Sequence, residues 1–397
     1  MDSRRRVEER ERRVWLKAGS GSFEAFLDLV SQTVVAADWP FASTVEQNVL
    51  IYAGDEVRAL SQSSDSRREL MAEWADAFSS GPGVIAIRNA IEDLDVVDTA
   101  TAVFEEIIEE QRATDAGGGD HFAKPGANDR IWNALQKHCF ADPANFASYF
   151  GNVAIDLASR AWLGDGYQVT AQVNRVNPGG EAQTAHRDYH LGFMTPERLE
   201  AFPSLVHQLS PALTLQGAIA HCDMPLESGP TLLAPFSHLF HEGYTAFSEQ
   251  RYQDWFRKNH AQLPLSKGDA VFFNPALMHA AGSNTSQDLY RLANLLQVSS
   301  AFGRPIEAVD RTQMCLLLYP VLLHARRDGT LSDAQIRCAI AASAEGYAFP
   351  TNLDTDPPVG GLAPKSQSDL MNEMLFADTP PEEAVASLRA QAERKRA

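Results

Sequence analysis

The spacing of apolar residues changes along the chain from a helical period to an alternating one and then back. Residues 23–35 and 67–78 carry apolar side chains at helical spacing, which predicts a helical segment over residues 1–80. A Ser-Ser-Gly-Pro-Gly sequence at residues 79–83 interrupts this pattern. We therefore expect an N-terminal helical extension that ends near residue 80.

Short strands are predicted in the middle of the chain. Residues 84–87 form a short apolar run, and helices are predicted at residues 93–111 and 145–163, with a glycine-rich loop at residues 116–120. From residue 168 polar and apolar residues alternate, and further strands separated by turns are predicted at residues 214–221, 231–234, 270–273 and 291–299. The pattern predicts an α+β chain whose core is a sandwich or a closed double sheet.

Helical spacing returns after residue 305. Helices are predicted at residues 312–326, 332–344 and 382–396, and the Pro/Gly/Asp-rich residues 349–365 are expected to be irregular. The division that follows is an N-terminal helical extension (1–80), a β-rich domain (81–305) and a C-terminal helical extension (306–397).

Composition narrows the range of partners. The 397 residues carry a formal net charge of −18, which disfavours binding to nucleic acid or to anionic membranes. The four cysteines form no Cys-x-x-Cys pair, so neither a structural zinc site nor a disulfide scaffold is expected. No apolar run approaches the roughly 20 residues that span a bilayer, and the N-terminus lacks the apolar centre of a signal peptide. We expect a cytoplasmic protein.

Metal-ligand chemistry is concentrated at three positions. His186 and Asp188 are two residues apart, and His279 follows about ninety residues later, after a predicted strand. Alternate residues of an extended chain share one face, so His186 and Asp188 at a strand end could bind one ion together with His279. Two histidines and a carboxylate are typical of non-haem iron oxygenases. His190 leaves open a zinc site with an additional histidine.

An arginine and two amides complete the candidate site. Arg291 lies within a predicted apolar strand without an acidic neighbour, and a buried arginine needs a partner. A carboxylate ligand would provide one through a bidentate pair. Gln172 and Gln216 are polar residues in predicted strands, where they could contact such a ligand or simply form part of a strand surface.

Four segments carry a resemblance to a known family. They are residues 172–180, residues 185–190, residues 227–238, and residues 267–273 continued through His279 to Arg291. In these segments the chain resembles the phytanoyl-CoA dioxygenase family of iron(II)/2-oxoglutarate oxygenases. The resemblance implies a double-stranded β-helix, also called a jelly roll or cupin-like fold. It also implies an enzyme that oxidises a small organic metabolite and releases succinate and CO₂.

The resemblance also assigns roles to residues. His186, Asp188 and His279 are the implied iron ligands, and Arg291 is the implied contact for the far carboxylate of 2-oxoglutarate. Gln172 and Gln216 are implied to lie near substrate or cosubstrate. Ala281 stands where some members carry a hydroxyl residue, and Ser283 is the expected substitute. Halogenation is disfavoured, because halogenases of this type lose the carboxylate that this chain retains.

The implied cofactors are Fe(II), 2-oxoglutarate and O₂, with ascorbate as a reductant. Two alternatives stay open: a cupin-like hydrolase or isomerase that uses zinc or manganese, and a non-catalytic binding protein of the same fold. The expected partner is a small-molecule substrate, and residues 191–210, which carry Phe193, Met194 and Phe202, are a candidate lid. Neither nucleic acid nor a membrane is expected to bind, and a homodimer is left open.

Overall fold

Two β-sheets form the framework of the protein. The structure, a computed structural model, describes residues 2–114, 127–348 and 352–396, so the loop predicted at 116–120 lies outside the described residues. The strands in the described part are β1 (Thr44–Glu46), β2 (Val49–Ala53), β3 (Val84–Arg88), β4 (Asn128–Ile131), β5 (Gln168–Val176), β6 (Thr214–Ala220), β7 (Leu232–Leu233), β8 (Ala261–Gln262), β9 (Ala270–Phe273), β10 (His279–Ala280) and β11 (Arg291–Ser299).

The strands form one large sheet and one small sheet. The large sheet has the order β1-β2-β3-β9-β6-β11-β5-β4, and the small sheet has the order β10-β7-β8. All neighbouring pairs are antiparallel except β2 and β3. Leu233 and Ala261 of the small sheet share an apolar cluster with Val84 and Val271 of the large one, so the two sheets face each other. The α+β double-stranded β-helix predicted from the sequence is confirmed.

Helices cover the outer face of the large sheet. The helices of the described residues are α1 (Asp2–Val14), α2 (Phe23–Val30), α3 (Gly54–Leu60), α4 (Ser64–Ser79), α5 (Leu94–Ala113), α6 (Ala134–Ala141), α7 (Pro143–Phe150), α8 (Val153–Leu163), α9 (Pro196–Leu199), α10 (Ser204–Ala212), α11 (Gly243–Ala246), α12 (Gln250–Asn259), α13 (Arg311–Asp328), α14 (Asp333–Ser343), α15 (Gln367–Phe376) and α16 (Pro381–Arg394). N-terminal and C-terminal helices share one core, in which Trp74 and Leu388 belong to the same cluster as Ile85 of β3. Within the described ranges, none of these helices combines the length and apolar character that crossing a bilayer requires.

The alternation along β5 has a direct structural meaning. Its apolar residues Val169, Ala171 and Val173 belong to the core beneath the helices. Gln172 and Asn174 point to the other side and line a cavity between the sheets. Because neighbouring side chains of a strand alternate between its faces, one strand serves both the core and the cavity.

Two parts of the chain differ from the sequence prediction. Residues 1–80 were expected to be helical but also contain β1 and β2, because β2 pairs in parallel with β3 and thereby extends the large sheet. The helix expected at 145–163 is divided into α7 and α8. The division falls at Gly151, where a Cβ atom would lie 2.6 Å from the carbonyl oxygen of Ala147, and the side chain of Asn152 caps α8.

The helix α2 packs against the small-sheet side with Phe26 as its buried residue. Phe26 is fully buried and packs against five aromatic rings, those of Phe23, Phe240, Phe247, Tyr252 and Trp255. We expect Phe26→Ala to lower the free energy of unfolding by about 3–5 kcal/mol, since it leaves a cavity in a packed cluster. Urea unfolding measures this, with the exposed Leu205→Ala as a control that should change it by less than about 0.5 kcal/mol. An unchanged urea midpoint for Phe26→Ala would contradict the packing of α2.

Candidate metal centre

Three side chains from two distant segments converge at one point. Nε2 of His186 lies 3.5 Å from Oδ1 of Asp188, and Nε2 of His279 lies 3.5 Å from Oδ2 of the same carboxylate. One ligand atom from each residue can be chosen so that all lie within 4.8 Å of one another. This spacing leaves a common position for a single metal ion.

Backbone pairing holds the two histidines together. The amide of His186 donates to the carbonyl of His279 at 3.0 Å, and the amide of His279 donates back at 3.1 Å. The amide of Asp188 donates to the carbonyl of Pro275. His186 and Asp188, which were expected at a strand end, lie in an extended segment outside the named strands, and this isolated bridge joins the segment to β10.

Both imidazoles are oriented for metal binding. Nδ1 of His186 lies 2.8 Å from the carbonyl oxygen of Thr184, and Nδ1 of His279 lies 2.8 Å from that of Leu277. A carbonyl oxygen only accepts hydrogen bonds, so Nδ1 carries the proton and Nε2 presents its lone pair to the shared position. This tautomer is the one that a metal-binding histidine requires.

Asp188 supplies the negative charge of the cluster. Burial alone would raise its pKa, but the adjacent imidazoles of His279 and His186 and the amide of Gln216 lower the pKa to about 2. The side-chain amide of Gln216 also donates to Oδ2 of Asp188. The carboxylate is therefore ionised at neutral pH. Two imidazoles and one carboxylate form the donor set that fits iron(II) in an open, facial arrangement.

A cavity of about 340 Å³ lies against the cluster and is also lined by Arg291. The guanidinium of Arg291 is buried, and its Nη1 lies 3.4 Å from the carbonyl oxygen of Ser228. Within the described ranges no carboxylate forms an ion pair with it. Burial lowers its pKa to about 10, so the group stays cationic at neutral pH. A buried cation without an acidic partner is stabilised by an anionic ligand.

The structure brings two of the other predicted residues to the cavity and leaves one out. Gln172 and Gln216 line the cavity. Ser283 is not among the lining residues, because its hydroxyl oxygen accepts a hydrogen bond from the amide of Ala182 at 2.8 Å in a neighbouring loop. The expectation that Ser283 contacts a cosubstrate therefore has no geometric support.

His190, the additional ligand considered from the sequence, lies outside the cluster. Its backbone amide donates to the hydroxyl of Ser210, and its half-buried ring meets that of Tyr189 edge-on at 6.0 Å. His221 lies between the hydroxyls of Thr101 and Tyr149 in the core. The two hydrogen bonds of its ring give His221 a structural role.

Sequence reasoning missed Arg187, which stands between two of the clustered residues. Its buried guanidinium donates to the carbonyls of Ser237 and Phe240 at 2.6 and 2.8 Å and lies over the rings of Tyr244 and Phe247. The hydroxyl of Tyr244 in turn donates to the carbonyl of Asp188. The available signal was an arginine within the His-x-Asp sequence, whose side chain must point away from the ligands.

We expect Arg187→Met to lower metal affinity by about 10- to 100-fold, the usual effect of losing a group that orients metal ligands. Equilibrium dialysis against iron(II) without oxygen measures the affinity. The exposed Arg198→Met on α9 is the matched control and should bind iron as the wild type does. A folded Arg187→Met protein with wild-type iron affinity would show that Arg187 does not orient the ligands.

Comparisons with known proteins agree with the site. Residues 79–293 match the model of the family described as phytanoyl-CoA dioxygenase. The chain is 30% identical over 146 residues to the multifunctional dioxygenase ausE of Penicillium brasilianum, covering 36% of this chain and 46% of ausE. It is 28% identical over 138 residues to the dioxygenase trt7 of Aspergillus terreus, covering 34% and 42%. The match thus spans less than half of either relative.

The solved structure of the epimerase SnoN from nogalamycin biosynthesis aligns with a TM-score of 0.43 and 17% identity, covering 59% of this chain and 82% of SnoN.

Proposed function

The chain belongs to the phytanoyl-CoA dioxygenase family, and on that premise we propose that it is a non-haem iron(II)- and 2-oxoglutarate-dependent dioxygenase. It oxidises a small organic molecule and releases succinate and CO₂. The observation that carries the proposal is the shared cavity, which is lined both by the His186, Asp188 and His279 cluster and by the buried Arg291. A metal position and an unpaired cation in one cavity suit a diacid that binds both.

Each residue has a role in this proposal. His186, Asp188 and His279 hold iron(II) on one face and leave the opposite face open. Arg291 binds the far carboxylate of 2-oxoglutarate and fixes its orientation. Gln216 donates to Asp188 and keeps the carboxylate in place. When bound, iron(II) supplies the chemistry that couples decarboxylation of 2-oxoglutarate by O₂ to oxidation of a substrate C–H bond.

Succinate formation tests the proposal directly. Purified protein with iron(II), 2-oxoglutarate, ascorbate and air should release succinate, and candidate metabolites that are substrates should increase the rate. A zinc or manganese hydrolase or isomerase would form none, and a non-catalytic binding protein would also show no iron-dependent O₂ uptake. Absence of both signals in iron-loaded protein would refute the dioxygenase proposal.

The proposal extends to the binding partner, the location and the type of oxidation. The proposed partner is a small molecule, and the net charge of −18 disfavours nucleic acid. A cytoplasmic location and a homodimer stay predictions. The retained Asp188 favours hydroxylation or a related oxidation over halogenation.

A further inference from the structure

Three buried glutamines line the cavity, and two of them have incomplete hydrogen bonding. Gln172, Gln216 and Gln297 are 2%, 3% and 6% exposed and belong to the cavity wall. Oε1 of Gln216 and Oε1 of Gln297 have no hydrogen-bond partner in the part of the chain that the structure describes. Buried amide atoms are nearly always hydrogen-bonded, so these atoms indicate a polar ligand.

Gln297 and Arg291 lie far apart on the same strand, β11. Arg291, Ala293, Leu295 and Gln297 all line the cavity from β11, and six residues of strand span about 20 Å. Gln297 pairs with Gln216 of β6, the residue whose amide contacts Asp188.

Small side chains line the interval between Gln216 and Arg291. They are Ala218, Ala220 and Ala293, which leave room for a diacid. Gln297 lies at the end of the cavity away from Arg291. It is therefore a candidate contact for a second ligand.

Oppositely charged residues lie at the end of the cavity near Gln172. Arg130 lines it, donates to Oε1 of Gln172 at 2.7 Å and lies over the ring of Trp132. Burial raises the pKa of the Glu307 carboxyl, and the nearby charge of Arg130 lowers it in part. Arg130 therefore has an acidic neighbour at this end of the cavity. Neutral amides dominate the remaining polar surface, and the exposed Ile306 adds an apolar surface.

We propose that Gln297, together with Gln172, forms a subsite for a hydroxyl or carbonyl oxygen of a neutral, otherwise apolar primary substrate. An amide can accept a hydrogen bond from a hydroxyl or donate one to a carbonyl, and its two ends can exchange places by rotation. The inference rests on the proposed function for the identity of the site as a substrate site. Gln297 is then a specificity-determining residue.

The test measures binding without turnover. Zinc-loaded protein saturated with 2-oxoglutarate is examined by ligand-detected NMR with cyclohexanol, cyclohexanone and cyclohexanecarboxylate, three probes with one ring and different oxygen groups. We expect the two neutral probes to bind at least tenfold more tightly than the carboxylate. Gln297→Leu should weaken neutral binding by about tenfold while leaving 2-oxoglutarate affinity unchanged.

The stability of the Gln297→Leu variant shows whether Gln297 contacts a ligand or stabilises the fold. Since Gln297→Leu removes a buried oxygen without a partner, its urea midpoint should equal or exceed that of the wild type. Gln313→Leu, on the exposed surface of α13, is the matched control and should alter no affinity. Tighter binding of the carboxylate probe, or unchanged neutral binding in Gln297→Leu, would overturn the inference. Failure of 2-oxoglutarate turnover in wild-type protein would instead overturn the proposed function.

Discussion

The His279→Ala protein should fold and yet release no detectable succinate. Nε2 of His279 is one of three atoms around the shared metal position, and alanine removes it without another described His, Cys, Asp or Glu side chain that could replace it. Loss of a group that only orients a ligand costs about 10- to 100-fold in metal affinity, so loss of the ligand itself should exceed that range. Equilibrium dialysis with iron(II) and a succinate assay measure the two effects.

A matched histidine provides the control for this experiment. His324 on α13 has a side chain that is 82% exposed and pairs with Asp328, so His324→Ala should retain wild-type iron affinity and succinate release. Circular dichroism and urea unfolding establish that both variants fold. Wild-type iron affinity in a folded His279→Ala protein would refute the assignment of the metal position.

Substitution of Arg291 should affect 2-oxoglutarate far more than the primary substrate. In Arg291→Met the KM for 2-oxoglutarate should rise by about 10- to 150-fold, since a charge-assisted contact contributes about 1.5–3 kcal/mol. The KM for a primary substrate should change by less than about threefold, because the guanidinium lies at the opposite end of β11 from Gln297. Steady-state kinetics with each substrate varied in turn gives both values.

Two further measurements test the role of Arg291: the stability of Arg291→Met and the kinetics of a control variant. Arg291 is a buried cation without an ion pair among the described residues, so Arg291→Met should unfold at the same or a higher urea concentration than the wild type. Arg327→Met, at the exposed end of α13 where Arg327 pairs with Asp378, should leave both KM values unchanged. Equal increases in the two KM values for Arg291→Met would exclude a specific contact with the cosubstrate.

The sequence predicts elements well where the pattern is long or is bounded by turns. The bounds of β9 and β11 agree with the prediction, because a Lys-Gly-Asp turn precedes the first and nine consecutive strand residues make up the second. The strands β1 and β10 have three and two residues, too few to show a period. Their pairing depends on partners that are distant in the chain, which local spacing does not contain.

Some residues of the candidate site could be predicted from the sequence and others could not. The ligand types and their order identify His186, Asp188 and His279, and the structure brings these three together. Ser283 was chosen by position in a loop, and its hydroxyl instead contacts a neighbouring backbone amide. Arg187 and Gln297 were missed because their significance depends on what their side chains face. That information arises only when β11, the small sheet and the loop near Phe240 are assembled.

The reciprocal backbone bridge between His186 and His279 links metal occupancy to the exchange of amide hydrogens with solvent. Opening this bridge separates two ligands at once, so a bound ion must dissociate, or lose a ligand, before either amide can exchange with deuterium. Occupancy should therefore slow exchange at these two amides and leave that of the distant C-terminal helices unchanged. Closing of this bridge and binding of the ion are thus thermodynamically linked. Mass spectrometry of the two peptides that contain His186 and His279 measures this linkage.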